Sequence, residues 1–259
     1  MITTVKNQQI KNIIKLKKSS KDRKEQKIFI VEGIRICKEI PKSWNPVFYV
    51  CENYYLQKKE EVLQITNGQE YELVSEDVFD KISDTKTPQG ILALVKQPEY
   101  SLKELPVGED AMFMVIENVQ DPGNLGTIIR SCEAAGVSAV ILSKDTVDIY
   151  NPKVIRSTMG SIFRVPFILN QDMIEVASWL KEKEITTYAA HLKGTDFYEE
   201  KLTDKIAFFI GNEGNGLSDA LTKLADKKIK IPMSGTVESL NVAIAATLLA
   251  YEGKRQRHR

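Results

Sequence analysis

Histidine is nearly absent from this 259-residue chain, with only His191 and His258, and its three cysteines show no paired spacing. Neither CxxC nor HExxH occurs, so neither a structural nor a catalytic metal site is expected. Scattered Cys37, Cys51 and Cys132 fit a reducing compartment, and the expected location is the cytoplasm. Long apolar runs are missing too: none approaches the roughly 20 residues that a membrane-spanning helix needs. The amino-terminal stretch is polar and lysine-rich, without the apolar core of a secretion signal. No Gly-Lys-Ser/Thr follows the glycine-rich loop near residue 214, which rules out a P-loop. No GxGxxG follows the first strand of the carboxy-terminal half, which argues against a nicotinamide-dependent oxidoreductase.

Net charge is also lacking, at +1 from 36 basic and 35 acidic residues. Its distribution is more informative. Residues 1–30 hold nine Lys or Arg against Asp22 and Glu25, and Lys254, Arg255, Arg257 and Arg259 end the chain. Basic ends on a neutral protein are consistent with phosphate binding, and equally with a solvated helix face and a frayed terminus.

What the chain does have is apolar sequence, 42% of its residues, arranged in two regimes. Residues 98–110 carry Pro98, Pro106 and Gly108 among charged residues and read as a linker. Before it, residues 1–97 alternate short helices and strands: strands at 28–31, 47–50, 71–74 and 91–95, helices at 33–40 and 54–65, and a third helix capped by Ser75. After it, residues 111–259 contain continuously apolar strands at 112–116, 139–142, 186–190, 206–210 and 229–231. Strands apolar on both faces predict a buried parallel sheet, with helices at 125–135, 173–183, 218–224 and 240–251 as crossovers. The fold class is α/β in both parts.

Three segments of the second part pass from strand through polar loop to helix. In "DPGNLGTIIRSCEAAG" (121–136), Asn124 is placed as a helix N-cap, with Arg130 less than two turns further on. In "FFIGNEGNGLS" (208–218), Gly211, Gly214 and Gly216 surround Glu213 and let main chain approach a ligand. In "IPMSGTVESLNVAIAA" (231–246), Ser239 and Asn241 stand where free helix N–H groups gather. Taken singly, each has an ordinary structural explanation: a solvated arginine, a tight turn, a capped helix.

Together, in this order and spacing, the three segments resemble the motifs of the SpoU/TrmH branch of the SPOUT RNA methyltransferases. The resemblance spans residues 111–251, including "NPKVIRSTMGSIFRVP" (151–166). "FIVEGIRICKE" and "TPQGILALV" in the first part resemble the L30e-like substrate-binding domain that precedes such catalytic domains. The resemblance implies a carboxy-terminal deep trefoil knot, S-adenosylmethionine as cofactor, and methyl transfer to a ribose 2′-hydroxyl of structured RNA, with large-subunit ribosomal RNA favoured over transfer RNA. It implies a homodimer, no metal and no membrane partner. By motif position it implies Gly211, Ile231 and Leu240 as main-chain cofactor contacts, and Asn124, Arg130, Glu213, Ser239 and Asn241 as catalytic residues. Ala243 stands where the family often has serine. A guanidinium is a poor proton acceptor at neutral pH, so Arg130 is better suited to clamping a phosphate than to acting as a base. The competing reading, an RNA-binding assembly factor without turnover, is disfavoured by the intact polar set.

Overall fold

The computed structural model describes residues 1–257; His258 and Arg259, the end of the basic tail, lie outside the described residues. In chain order the elements are α1 (Gln8–Lys18), α2 (Ser20–Gln26), β1 (Ile28–Glu32), α3 (Ile34–Cys37), β2 (Val47–Cys51), α4 (Glu52–Thr66), β3 (Tyr71–Val74), α5 (Glu76–Ile82) and β4 (Ile91–Lys96). There follow β5 (Met112–Ile116), α6 (Pro122–Ala135), β6 (Ala139–Ser143), α7 (Pro152–Thr158), β7 (Phe167–Gln171) and α8 (Met173–Glu182). Last come β8 (Thr186–Asp196), β9 (Ile206–Ile210), α9 (Asp219–Leu224), β10 (Lys227–Lys230) and α10 (Val242–Arg257). The chain divides into two compact units, one of Met1–Glu99 with Asp148–Phe163, the other of Tyr100–Val147 with Arg164–Arg259.

The first unit is built on a four-stranded sheet of order β1-β4-β2-β3, with β2 and β3 parallel and the other pairs antiparallel. Period-two alternation sends Ile30, Tyr49, Cys51 and Leu92 to one face. There they pack with Ile10, Ile13 and Leu16 of α1 and Val78, Phe79 and Ile82 of α5. Phe29, on the opposite face, stacks against Tyr150 of the Asp148–Phe163 segment. Arg23 is only 3% exposed: its guanidinium donates to Asp148 Oδ2 (2.6 and 2.8 Å) and to the Leu16 carbonyl. It is therefore a structural ion pair and not a free surface cation.

Local structure here differs from expectation: the helix at 54–65 extends to α4, Glu52–Thr66. The helix at 33–40 shortens to α3: Gly33, at φ +110, stands before its first residue, and beyond Cys37 three-residue turn bonds from the Glu39 and Ile40 N–H groups to the Ile36 and Cys37 carbonyls lead to Pro41. Ser75 holds the N-cap position of α5, but its side chain makes no capping bond.

The second unit is a six-stranded sheet, order β10-β8-β9-β5-β6-β7, parallel throughout. Its central strands β5, β6 and β9 are buried at every residue, as continuously apolar sequence demands. Strand β7 escapes a hydropathy reading because its apolar run is short: Phe167 and Ile168 are buried, and the strand then turns polar at the exposed Asn170. In a parallel sheet all carboxyl ends share one edge, and the polar loops after β5, β9 and β10 leave from it together.

Among the described residues no group of His, Cys, Asp and Glu is arranged to hold a metal ion, and no helix is long and apolar enough to cross a membrane. All three cysteines are buried and free.

Candidate functional site

Strand pairing sets the site. Ile116 of β5 is in register with Ile210 of β9, and the Glu117 N–H donates to the Ile210 carbonyl (2.8 Å), so the two following loops emerge side by side. The first loop enters α6 at Asp121, whose Oδ1 accepts from the Asn124 N–H (2.8 Å) ahead of Pro122 in the first turn. The N-cap is thus Asp121, not Asn124. With capping done by Asp121, the Asn124 side chain is left free to bond elsewhere.

It bonds to the second loop. Asn124 Nδ2 donates to Glu213 Oε1 (3.1 Å), which also accepts from the Asp121 N–H (3.0 Å). Glu213 Oε2 accepts from the Gln120 N–H (3.1 Å). Partial burial alone would raise the Glu213 pKa. The bonds from the Asp121 N–H, the Asn124 amide and the Gln120 N–H outweigh it and hold the carboxyl below its ordinary range. At neutral pH Glu213 is therefore an ionised acceptor that ties the start of α6 to the glycine-rich loop.

The third loop joins through Asn241. Its Oδ1 accepts from the N–H groups of Ala243 (2.9 Å) and Ile244 (3.3 Å), capping α10, which starts at Val242 and not at 240. That fixes the amide orientation: Asn241 Nδ2 must be the donor to Asn124 Oδ1 (3.0 Å), and Asn124 Nδ2 the donor to Glu213. One directed chain, Asn241 to Asn124 to Glu213, links all three motif segments.

Arg130 and Ser239 stand outside this chain. Six residues on from Asn124, Arg130 is about 9 Å along α6 and about 120° around it. It is exposed, and among the described residues its guanidinium makes no ion pair or hydrogen bond. Ser239 is exposed in the 231–241 loop, and its hydroxyl has no partner among the described residues.

The positions expected to touch cofactor lie around the same edge. A Cβ on Gly211 would come within 2.1–2.3 Å of the main chain of Gly216 and Leu217, because the loop doubles back through reciprocal bonds between Asn212 and Gly216 (3.0 and 2.9 Å). Only glycine lets the loop close so tightly. Ile231 and Leu240 are half-buried at the two ends of an exposed loop, and residues 231–240 make no main-chain hydrogen bonds among the described residues. Their unpaired N–H and C=O groups suit a ligand read through main-chain contacts, as the S-adenosylmethionine expectation requires.

Sequence reasoning missed several supports. Glu117 is 8% exposed and takes two bonds from Ser218, at N–H (2.7 Å) and Oγ (2.8 Å), anchoring the start of α9. Asn212 donates to the Asn118 carbonyl (2.8 Å) and accepts from the Gly214 N–H (2.8 Å), shaping the Glu213 turn. The one sequence signal was a glutamate ending an apolar strand. Strand β8 runs to Asp196, beyond the expected 190, but β10 skips residues 190–194, pairing Lys228 with Ala189 and Ile229 with Thr195. Those residues form a further excursion beside the β10 strand.

Comparison with known proteins gives a family match over both parts. Residues 111–251 match the SpoU rRNA Methylase family, and residues 7–93 match the MRM3-like substrate binding domain. The chain is 35% identical over 253 residues to the 23S rRNA (guanosine(2553)-2′-O)-methyltransferase RlmP of Bacillus subtilis, covering 96% of this chain and 97% of that one. Among solved structures it resembles the SpoU methyltransferase AviRb of Streptomyces viridochromogenes in complex with AdoMet (TM-score 0.89, 30% identity, 97% and 98% of the two chains). It also resembles an AdoMet-bound rRNA methyltransferase from Sinorhizobium meliloti (TM-score 0.88, 28% identity, 98% and 97%).

Proposed function

Because the chain belongs to the SpoU rRNA methylase family, we propose that it methylates a ribose 2′-hydroxyl of 23S ribosomal RNA with S-adenosylmethionine as methyl donor. The observation that carries this reading is the end-to-end match, over both units, to a 23S rRNA 2′-O-methyltransferase. The relatives whose names state a substrate favour ribosomal RNA over the transfer-RNA alternative. An assembly factor without turnover would not need the intact Asn241–Asn124–Glu213 chain.

S-adenosylmethionine supplies an electrophilic methyl group on a sulfonium. Gly211, Ile231 and Leu240 hold that cofactor through main-chain groups. Glu213 and Asn124 keep the glycine-rich loop and α6 in fixed register, so that the RNA-facing side of α6 is set against the cofactor loops. Arg130, whose guanidinium has no partner among the described residues, clamps the phosphate next to the target ribose and orients the hydroxyl; Ser239 contributes a hydroxyl from the third loop. Positioning of this kind supplies much of a displacement barrier without a strong base.

The active form is a homodimer. Support comes from α10, whose Ile244 (52%), Leu248 (38%) and Tyr251 (45%) are exposed at i, i+4, i+7 spacing directly after the capping Asn241. A second copy covering this stripe would bring its own surface next to Asn124. The carboxy-terminal segment is threaded as a trefoil knot. Its support is the family resemblance. Three free, buried cysteines fit action in the cytoplasm.

The test is to map 2′-O-methylated riboses in ribosomal and transfer RNA from cells with and without the gene. Loss of methylation at a 23S rRNA ribose is expected. Loss confined to transfer RNA would overturn the substrate assignment.

A further inference from the structure

The amino-terminal helices carry more positive charge than any other part of the chain, and the structure sorts those charges into used and unused. Arg23 is consumed by Asp148. Lys17 turns inward to the carbonyls of Lys81 (3.1 Å) and Ser83 (2.6 Å), and burial lowers its pKa. Lys21 pairs with Glu25.

Lys11, Lys15 and Lys18 are different. All three are exposed, and among the described residues none has an ion-pair or hydrogen-bond partner from its ammonium group. At 100° per residue they fall within an arc of about 60° on α1, opposite the buried Ile10, Ile13 and Leu16. No acidic residue lies anywhere on α1.

We propose that Lys11, Lys15 and Lys18 form a phosphate-binding track by which the first unit holds the backbone of the substrate RNA. The proposal rests on the reading of the substrate as RNA. The lysines follow one another by about 6 and about 4.5 Å along the helix, a rise set by the backbone. A line of ammonium groups on that scale can follow successive phosphates of one strand. Lysine acts there as a point charge, without the fork that reads base edges.

The track is held rigidly. Reciprocal amide bonds between Asn12 and Gln26 (2.9 Å each) tie α1 to α2, and the Ile10–Ile13–Leu16 face is locked into the core. Acids flank the track on several elements: Asp22 and Glu25 on α2, Glu76, Asp77 and Asp80 on α5, and Glu32 and Asp84 beside the inward-turned Lys17. An RNA strand would therefore run along the exposed Lys11–Lys15–Lys18 face, opposite the buried Ile10, Ile13 and Leu16. The track supplies affinity that is indifferent to sequence, and it leaves choice of nucleotide to the loops of the second unit.

Binding of the full-length protein to in vitro-transcribed 23S rRNA and to poly(U) is measured across a salt series, for wild type, K11Q/K15Q/K18Q and K11R/K15R/K18R. Each phosphate contact contributes about 0.7 to 0.9 to the slope of log affinity against log salt. The glutamine variant should therefore bind both RNAs more weakly with a slope shallower by about 2 to 3. Raising salt from about 50 to about 200 mM should cost the wild type about 20- to 40-fold more affinity than it costs this variant. The arginine variant should keep the wild-type slope, and S-adenosylmethionine affinity should be the same in all three. An unchanged slope in the glutamine variant would overturn the track and leave the methyltransferase reading intact. A changed slope together with no methyl transfer by wild type would support the track and overturn the methyltransferase reading instead.

Discussion

Among the motif residues, Glu213 does structural work that decides the rest. It is ionised, accepts from Gln120, Asp121 and Asn124 in the first segment and from its neighbour Asn212 in the second, and donates nothing. Glu213→Gln keeps the shape but turns an amide donor toward donors. This should lower kcat/KM by about 100-fold, the loss expected when a catalytic loop is slightly misplaced. The pH dependence follows from the lowered pKa of Glu213. A depressed folded-state value means the carboxylate stabilises the fold fully above the unfolded glutamate pKa of about 4.3, and that contribution is lost as pH falls through the lower folded value. Thermal melts should show a constant gap between wild type and Glu213→Gln near neutrality, closing only in acid below about pH 4.3. A gap that closes already near neutrality would contradict the assignment. Arg130 is the opposite case, a cation with no partner of its own among the described residues. Arg130→Lys keeps the charge but loses the bidentate fork, and should lower kcat/KM for RNA by about 10-fold or more with S-adenosylmethionine affinity unchanged. Near-wild-type turnover would remove the phosphate clamp. The motif residues were legible in the sequence, but their bonding was not. Asn124 reads as a cap until Asp121, three residues earlier, is seen to fill that position.

At the level of elements, continuous apolarity made β5, β6 and β9 legible, whereas a short apolar run ending in Asn170 and Gln171 hid β7. Two helix starts were displaced by a capping Asp or Asn: α6 begins after Asp121 and α10 after Asn241. The β8 excursion at 190–194 leaves no sequence signal except Gly194, whose close approach to Ile229 cannot be inferred from a single glycine. Two predictions belong here. Gly211→Ala places a methyl group inside the closed turn at contact distances near 2 Å, and should abolish S-adenosylmethionine binding by calorimetry while the first unit stays folded. Unchanged affinity would show that the turn does not line the cofactor site. Leu248→Glu puts a charge in the middle of the exposed α10 stripe, and light scattering should then report a monomer where wild type is a dimer. A wild-type monomer would remove the proposed interface.

For the whole molecule, the sequence conveyed two α/β parts and a polar edge in the second, because both follow from hydropathy and turn chemistry. It did not convey that Asp148–Phe163 belongs to the first compact unit, since that grouping depends on contacts distant in sequence, such as Arg23 with Asp148 and Phe29 with Tyr150. The division of labour follows from this layout: a basic α1 in one unit, and in the other three loops tied by Asn241, Asn124 and Glu213. The most direct test of the central claim is a single incubation. The purified protein is given S-adenosylmethionine labelled in its methyl group and 23S rRNA from cells lacking the gene, and the RNA is digested to nucleosides. Label is expected in a 2′-O-methylated nucleoside, and none when Gly211→Ala replaces the wild type. Label on a base, or no transfer by a wild-type protein that binds S-adenosylmethionine, would contradict it.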